Sequence, residues 1–234
     1  MTAIGTNDLA IDAENVARRF ETTWVLRGVN LRLSAGEVVG LLGANGTGKS
    51  TLLRIVATLL RPHAGSVRVF GHDVVRASGD VRSLVGYLAH APGVYGDLTA
   101  RENLAFAASM LDRDHNEVDV ILERIGLKDV ADQIARVFSS GMQRRLAVGR
   151  LLLIRPRLLL LDEPYSNLDT EGIALVNSMI TERVDAGAAA LAVVHELAPA
   201  ARVLDRTLTL ADGRLGVTER VDEKNVISLV ANGR

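Results

Sequence analysis

Apolar and polar positions change period several times along this chain. Short β-branched and leucine runs across residues 16–39, broken by Gly28 and Ala35-Gly36, predict small strands leading to a buried strand at Val38–Leu42. Directly after a glycine-rich loop, residues 50–60 carry Leu52, Leu53, Ile55, Val56, Leu59 and Leu60 at helical spacing and stop at Arg61-Pro62, which predicts a helix. Residues 67–70 and 84–88 read as strands. Residues 99–111 and 117–125 have helical period, and Thr99 with Glu102 three positions later forms a capping pair. Strand patterns return at 158–161, 190–194 and 207–210, with a helical stretch at 170–184 between the first two. Strands alternating with helices imply an α/β fold, a mainly parallel sheet covered by helices. The expected organisation is a loose tail over 1–14, a core built from 15–94 and 151–234, and a helical insert over 95–150.

Composition narrows the classes. At 234 residues with 48% apolar content the chain can bury a substantial core. Its 27 basic and 28 acidic residues leave a formal charge of -1 and are mixed along the chain, so no electrostatic argument favours nucleic acid or an anionic membrane surface. The absence of cysteine excludes disulfides, thiol catalysis and zinc-thiolate sites. The first 14 residues carry Asp8, Asp12 and Glu14 and lack a basic flank with an apolar core, so no secretory signal is expected there. The most apolar stretches fall far short of the roughly 20 residues a membrane-crossing helix needs.

The chemistry begins at Gly43-Ala44-Asn45-Gly46-Thr47-Gly48-Lys49-Ser50, which matches G-x-x-x-x-G-K-[ST] between a predicted strand and a predicted helix. Glycines let backbone N–H groups form a concave nest for a phosphate, and the helix start adds its positive dipole end. Lys49 is expected to neutralise β- and γ-phosphate oxygens, Ser50 to offer its hydroxyl to Mg²⁺, and Thr51 with the loop N–H groups to bind phosphate oxygens. A second motif, the leucine run 158–161 followed by Asp162-Glu163-Pro164, puts two carboxylates at the carboxyl end of an apolar strand, where open α/β sheets hold ligands. Asp162 is expected to hold Mg²⁺, and Glu163 to polarise an attacking water as general base. Taken alone this pair is only a strand ending in solvent; beside the phosphate loop it reads as a Walker B segment.

Further elements occur in the order of the ABC ATPase cassette, and over residues 15–215 the chain resembles that family. Phe138-Ser139-Ser140-Gly141-Met142-Gln143 is similar to the family's L-S-G-G-Q signature, departing from it at Ser140 and Met142. The resemblance implies that Ser139, Ser140 and Gly141 meet the γ-phosphate bound by a second subunit. Ser166-Asn167-Leu168-Asp169 resembles the D-loop; as bare sequence it is an Asx-type turn before a helix. His195 corresponds to the switch histidine, Phe20 to the aromatic residue that stacks on adenine, with Trp24 as the competing candidate. At 87–90 the family's glutamine is replaced by His90. Imidazole accepts a hydrogen bond only when neutral, so a pH dependence near the ordinary histidine pKa of about 6.5 is expected at this position.

The resemblance implies a P-loop NTPase fold of RecA type, with a small antiparallel β part and an inserted helical subdomain. It implies ATP and Mg²⁺ as ligands, a head-to-tail dimer with a second copy, and a separate membrane permease at the cytoplasmic face of the cell membrane. Nucleic acid is not expected, because the chain has one cassette, no long heptad segment and no basic patch. The segment 87–104 together with 140–147 is most similar to the haem-exporter ATPases of cytochrome c maturation; a multidrug-type exporter is the alternative.

Overall fold

In this computed structural model, residues 9–91, 93–216 and 219–220 are described. The chain opens with two long strands, β1 (Leu9–Phe20) and β2 (Thr23–Ser34), followed by β3 (Val38–Leu42) and helix α1 (Lys49–Val56). Next come β4 (Ala64–Val69), β5 (His72–Asp73), α2 (Ser78–Leu84) and β6 (Val85–Leu88). Helices α3 (Ala100–Met110), α4 (Asn116–Arg124) and α5 (Ser140–Ile154) then lead to β7 (Leu158–Asp162), α6 (Thr170–Asp185), β8 (Ala189–Val193), β9 (Arg206–Ala211), β10 (Arg214–Leu215) and β11 (Glu219–Arg220).

Two sheets result. An antiparallel sheet runs β2-β1-β4-β5, and a second sheet runs β10-β9-β3-β8-β7-β6, in which β6, β7, β8, β3 and β9 pair in parallel. The mainly parallel sheet and the small antiparallel part are therefore as the sequence predicts. β7 and β8 have no exposed residue, which is why their sequences, LLLLD and AALAV, show no alternation. One face of the parallel sheet packs on α1 through Leu52, Leu53, Ile55 and Val56. The other packs on α5, which is apolar on nearly every side because it is wrapped by α3, α4 and the sheet.

Several boundaries differ from the sequence reading. The expected loose tail overlaps β1: Leu9 to Glu14 are paired with β2 and β4, and Ile11 is fully buried, while residues 1–8 lie outside the described residues. The period-2 signal there is weakened by Asp12 and Glu14, whose side chains reach the cross-strand Arg32. Helix α1 ends at Val56, before Leu59, which is exposed; Thr58 adopts φ 63 and turns the chain. Helix α5 begins at Ser140, inside the segment similar to the signature, with Ser139 as its cap. Helix α2 was not legible, having one buried position, Val81. Helix α3 carries the predicted capping box, with Thr99 accepting from the Glu102 N–H and Glu102 accepting from the Thr99 N–H.

Candidate functional site

The phosphate loop lies between β3 and α1. Its helix has no side-chain cap: the first helical bond runs from the Leu52 N–H to the Gly48 carbonyl, so the N–H groups of Lys49, Ser50 and Thr51 precede the ladder and point outward at a positive helix end. Gly48 sits at φ 107, and a Cβ there would lie 2.8 Å from the Val25 side chain; only glycine lets the loop lie this close to β2. Lys49 is buried, and its Nζ donates to the carbonyls of Gly43 (2.7 Å) and Ala44 (2.9 Å), holding the ammonium across the loop. Thr47 Oγ1 donates to the Ala44 carbonyl at 2.9 Å and closes the turn.

Three other chain segments reach the same cavity, of about 610 Å³: the carboxyl end of β7 with Asp162 and Glu163, the loop after β8 with His195, and the loop after β6 with His90. Asn45, Gly46, Gly48, Lys49, Ser50 and Thr51 line its other side, joined by Val25 and by Arg54 of α1. Asp162 is almost fully buried and its Oδ2 has no hydrogen-bond partner.

Glu163 stands in the left-handed region at φ 53, which turns the chain out of the strand, at a cost of about 1 kcal/mol or more for a residue with a Cβ. Its N–H is retained by the Val193 carbonyl at 3.2 Å. Its carboxylate is gripped by two imidazoles: His195 Nε2 donates to Oε1 at 2.7 Å, and His90 Nδ1 lies 3.1 Å from Oε2. Ser166 Oγ donates to Oε2 at 3.3 Å. Partial burial pushes the Glu163 pKa up, but the His195 hydrogen bond, the charges of both histidines and the Ser166 bond outweigh it, so the carboxyl titrates below its ordinary value and stays anionic.

The residues of the signature segment lie elsewhere. Ser139, Ser140 and Gly141 line a separate cavity of about 560 Å³ with Asn167 and Asp169. Ser139 caps α5 by accepting from the Met142 N–H at 3.2 Å. A Cβ on Gly141 would fall 2.7 Å from the Asn167 carbonyl oxygen, so the segment packs directly under the turn that follows β7. Asp169 caps α6 by accepting from the Gly172 N–H at 2.9 Å, the expected Asx-type turn, and receives a hydrogen bond from Arg145 at 2.5 Å. The Gly172 and Arg145 bonds hold its pKa down. Phe20 ends β1 and is half exposed, as is Trp24, and neither lines the phosphate-loop cavity. Phe20 pairs with Thr23 and so stands on the strand face of the cavity residue Val25, whereas Trp24 precedes Val25 on the opposite face. Arg18 covers one face of the Phe20 ring at 4.9 Å.

Two arginines had not stood out in the sequence. Arg144, buried on α5, donates to the carbonyls of Ala89 (2.8 Å) and His90 (2.7 Å), and Arg150 donates to the Gly93 carbonyl at 2.7 Å. Burial lowers the Arg144 pKa, while Glu163 and Asp162 oppose the shift. Helix α5 thus holds the loop that carries His90. The only sequence hint was arginines, Arg144 and Arg150 among them, on a helix otherwise rich in apolar residues.

Against known proteins, the family model described as ABC transporter matches residues 26–166. The chain is 36% identical over 220 residues to the daunorubicin resistance ATP-binding protein DrrA3 of Streptomyces coeruleorubidus, covering 92% of this chain and 70% of that protein. It is 40% identical over 183 residues to the cytochrome c biogenesis ATP-binding export protein CcmA of Xanthomonas axonopodis pv. citri, covering 78% of this chain and 85% of that protein. Among solved structures, an ATP-binding subunit of an ABC transporter superposes with a TM-score of 0.84 at 26% identity, covering 94% of each chain. A phosphate loop, a buried aspartate with a histidine-held glutamate behind it, and a separate capped-helix site are joined in one fold with these relatives: the chain belongs to the ABC transporter family, as one of its nucleotide-binding, ATP-hydrolysing subunits.

Proposed function

We propose that this chain binds ATP with Mg²⁺, closes head to tail on a second copy of itself, and uses hydrolysis to drive export through a separate membrane permease. The observation that carries this reading is the placement of Lys49, Asp162, Glu163, His90 and His195 around one cavity while Ser139 and Gly141 face another. Each subunit holds one half of a phosphate site, and two-fold pairing lets each complete the other's.

The cavity fits a magnesium ion. Asp162 puts an almost fully buried carboxylate on the cavity wall, and Ser50 supplies a hydroxyl beside it. Magnesium characteristically takes one or two protein oxygens and completes its shell with water and substrate phosphates. When bound, the ion supplies charge neutralisation on the β- and γ-phosphates. Lys49 and the N–H groups at the start of α1 hold the phosphates. Glu163, kept anionic, accepts a proton from the attacking water, and His195 and His90 fix its two oxygens so that it presents one orientation. Phe20, backed by Arg18, offers a ring for the adenine to stack on. Within the fold, 15–94 with 151–234 serves as the nucleotide core, and 95–150 as the helical part that presents Ser139, Ser140 and Gly141 to the partner.

An apolar groove between α3 and α5, lined by Tyr95, Phe106, Met110 and Leu111, is suited to the permease. Tyr95 and Phe106 stack edge to face at 5.3 Å and both stand exposed. No helix among the described residues is long and apolar enough to cross a membrane. Attachment to the inner face of the cell membrane goes through the permease.

For the cargo, the loop 87–104 with His90 favours haem export of the cytochrome c maturation type. The longer match to DrrA3 supports drug export as the second reading.

The test of the engine is light scattering of Glu163→Gln with and without ATP, beside the same variant carrying Lys49→Ala. A dimer is expected with ATP only when Lys49 is present; a persistent monomer with nucleotide bound overturns the two-copy mechanism. For the cargo, the permease complex in lipid vesicles is assayed for ATPase stimulation by haem and by an anthracycline.

A further inference from the structure

Tyr87 stands on β6 directly beside Leu160 of β7, on the sheet face that packs against α1. Asp162 lies two residues further along β7 and therefore on the same face. The Tyr87 hydroxyl is buried without a hydrogen-bond partner, and so is Asp162 Oδ2. Two buried polar atoms left unmade in one corner of a fold cost of the order of 1–3 kcal/mol each, so such a pair needs a reason. The Asp162 carboxylate and Arg54 of α1 are the charged groups acting on the Tyr87 hydroxyl.

We propose that Tyr87 is a positioning residue for the Asp162 carboxylate. Its O–H donates to Oδ2, directly or through one water, once the site is loaded, so that the other oxygen is turned to the metal. This rests on Asp162 serving Mg²⁺, as read above. Partners of this outer kind orient a ligating carboxylate, and their loss typically weakens metal binding by about 10–100-fold. A phenol suits the place because its ring packs against the apolar cluster that includes the α1 residues while its hydroxyl reaches the buried corner. Tyr87 lies three residues before His90, so strand β6 serves both carboxylates: Tyr87 for Asp162, His90 for Glu163.

The experiment measures binding of a fluorescent ATP analogue to the unmodified chain and to Tyr87→Phe, first in EDTA and then across a Mg²⁺ titration. The variant is expected to bind the analogue equally well in EDTA but to need about tenfold more Mg²⁺ for half of the Mg²⁺-dependent tightening. In an Asp162→Asn background the same tyrosine change should have no further effect. Thermal melting checks that the variant folds; if it does not, Tyr87→Trp, which keeps a ring and a donor, is titrated in its place and should retain a Mg²⁺ response. An unchanged Mg²⁺ midpoint overturns the proposal, as does an equal loss in EDTA and in Mg²⁺, which would place Tyr87 in loop packing alone. If the unmodified chain shows no Mg²⁺-dependent tightening, the metal assignment of Asp162 fails first.

Discussion

Replacing Arg144 by methionine tests whether helix α5 holds the His90 loop in place. The guanidinium makes two hydrogen bonds from a charged donor, to the Ala89 and His90 carbonyls, and Arg144 is 2% exposed. Bonds of this kind contribute about 1.5–3 kcal/mol each, and their loss leaves two partly buried carbonyls short of a donor. Against that, methionine removes a buried charge with no carboxylate in salt-bridge contact, whose desolvation the fold now sustains. Methionine also fills much of the volume. The balance is a loss of about 2–3 kcal/mol, or a fall in melting temperature of roughly 4–12 °C for a domain of this size. A functional effect comes with the stability effect, because the freed loop no longer presents His90 to Glu163. In the permease complex, ATPase turnover should fall by about tenfold or more. The assay is a double-mutant cycle in turnover with His90→Ala. Because both changes break the same contact, the double variant should be no slower than the worse single. Wild-type turnover in Arg144→Met, or losses that multiply fully, refutes the claim that Arg144 acts through His90.

Three other outcomes follow from the geometry. Gly141→Ala should leave ATP binding to the isolated chain intact but abolish the ATP-dependent dimer, because its methyl would press on the Asn167 carbonyl; a normal dimer in light scattering would contradict this. Phe20→Ala should weaken nucleotide binding by about 1–3 kcal/mol by titration, with Trp24→Ala nearly neutral; the reverse order would move the base platform to Trp24. For Glu182, the Arg124 hydrogen bond at 2.5 Å, opposed by burial and aided by Ser178, holds the pKa below its ordinary value. A lowered carboxyl stabilises the fold above its unfolded pKa and loses that contribution as pH falls through the folded value. Glu182→Gln should therefore cost about 0.2–1 kcal/mol at pH 7, as befits a partly exposed pair, and less at pH 3, in denaturant titrations at the two pH values.

The sequence by itself determined the parts that are local. The spacing from Gly43 to Ser50 reads as a phosphate nest between strand and helix, and LLLLD beside it reads as an interior strand ending in a carboxylate, because these properties belong to short stretches of backbone. The caps Thr99 and Asp169 were legible for the same reason. Element ends were less so: the start of α5 was hidden because serine and glycine at 139–141 have poor helical propensity, and the cap and packing under Asn167 override it. Order along the chain, read through family resemblance, placed His195 and His90 near Glu163 without giving the contact itself. Only the tertiary structure decided that the two imidazoles grip opposite oxygens of one carboxylate, that Arg144 reaches 54 positions back to hold the loop bearing one of them, and that the Tyr87 hydroxyl and Asp162 Oδ2 are buried unpaired on one sheet face. The physical reason is that parallel strands bring together segments far apart in sequence, and their register, which no local pattern encodes, sets which side chains meet.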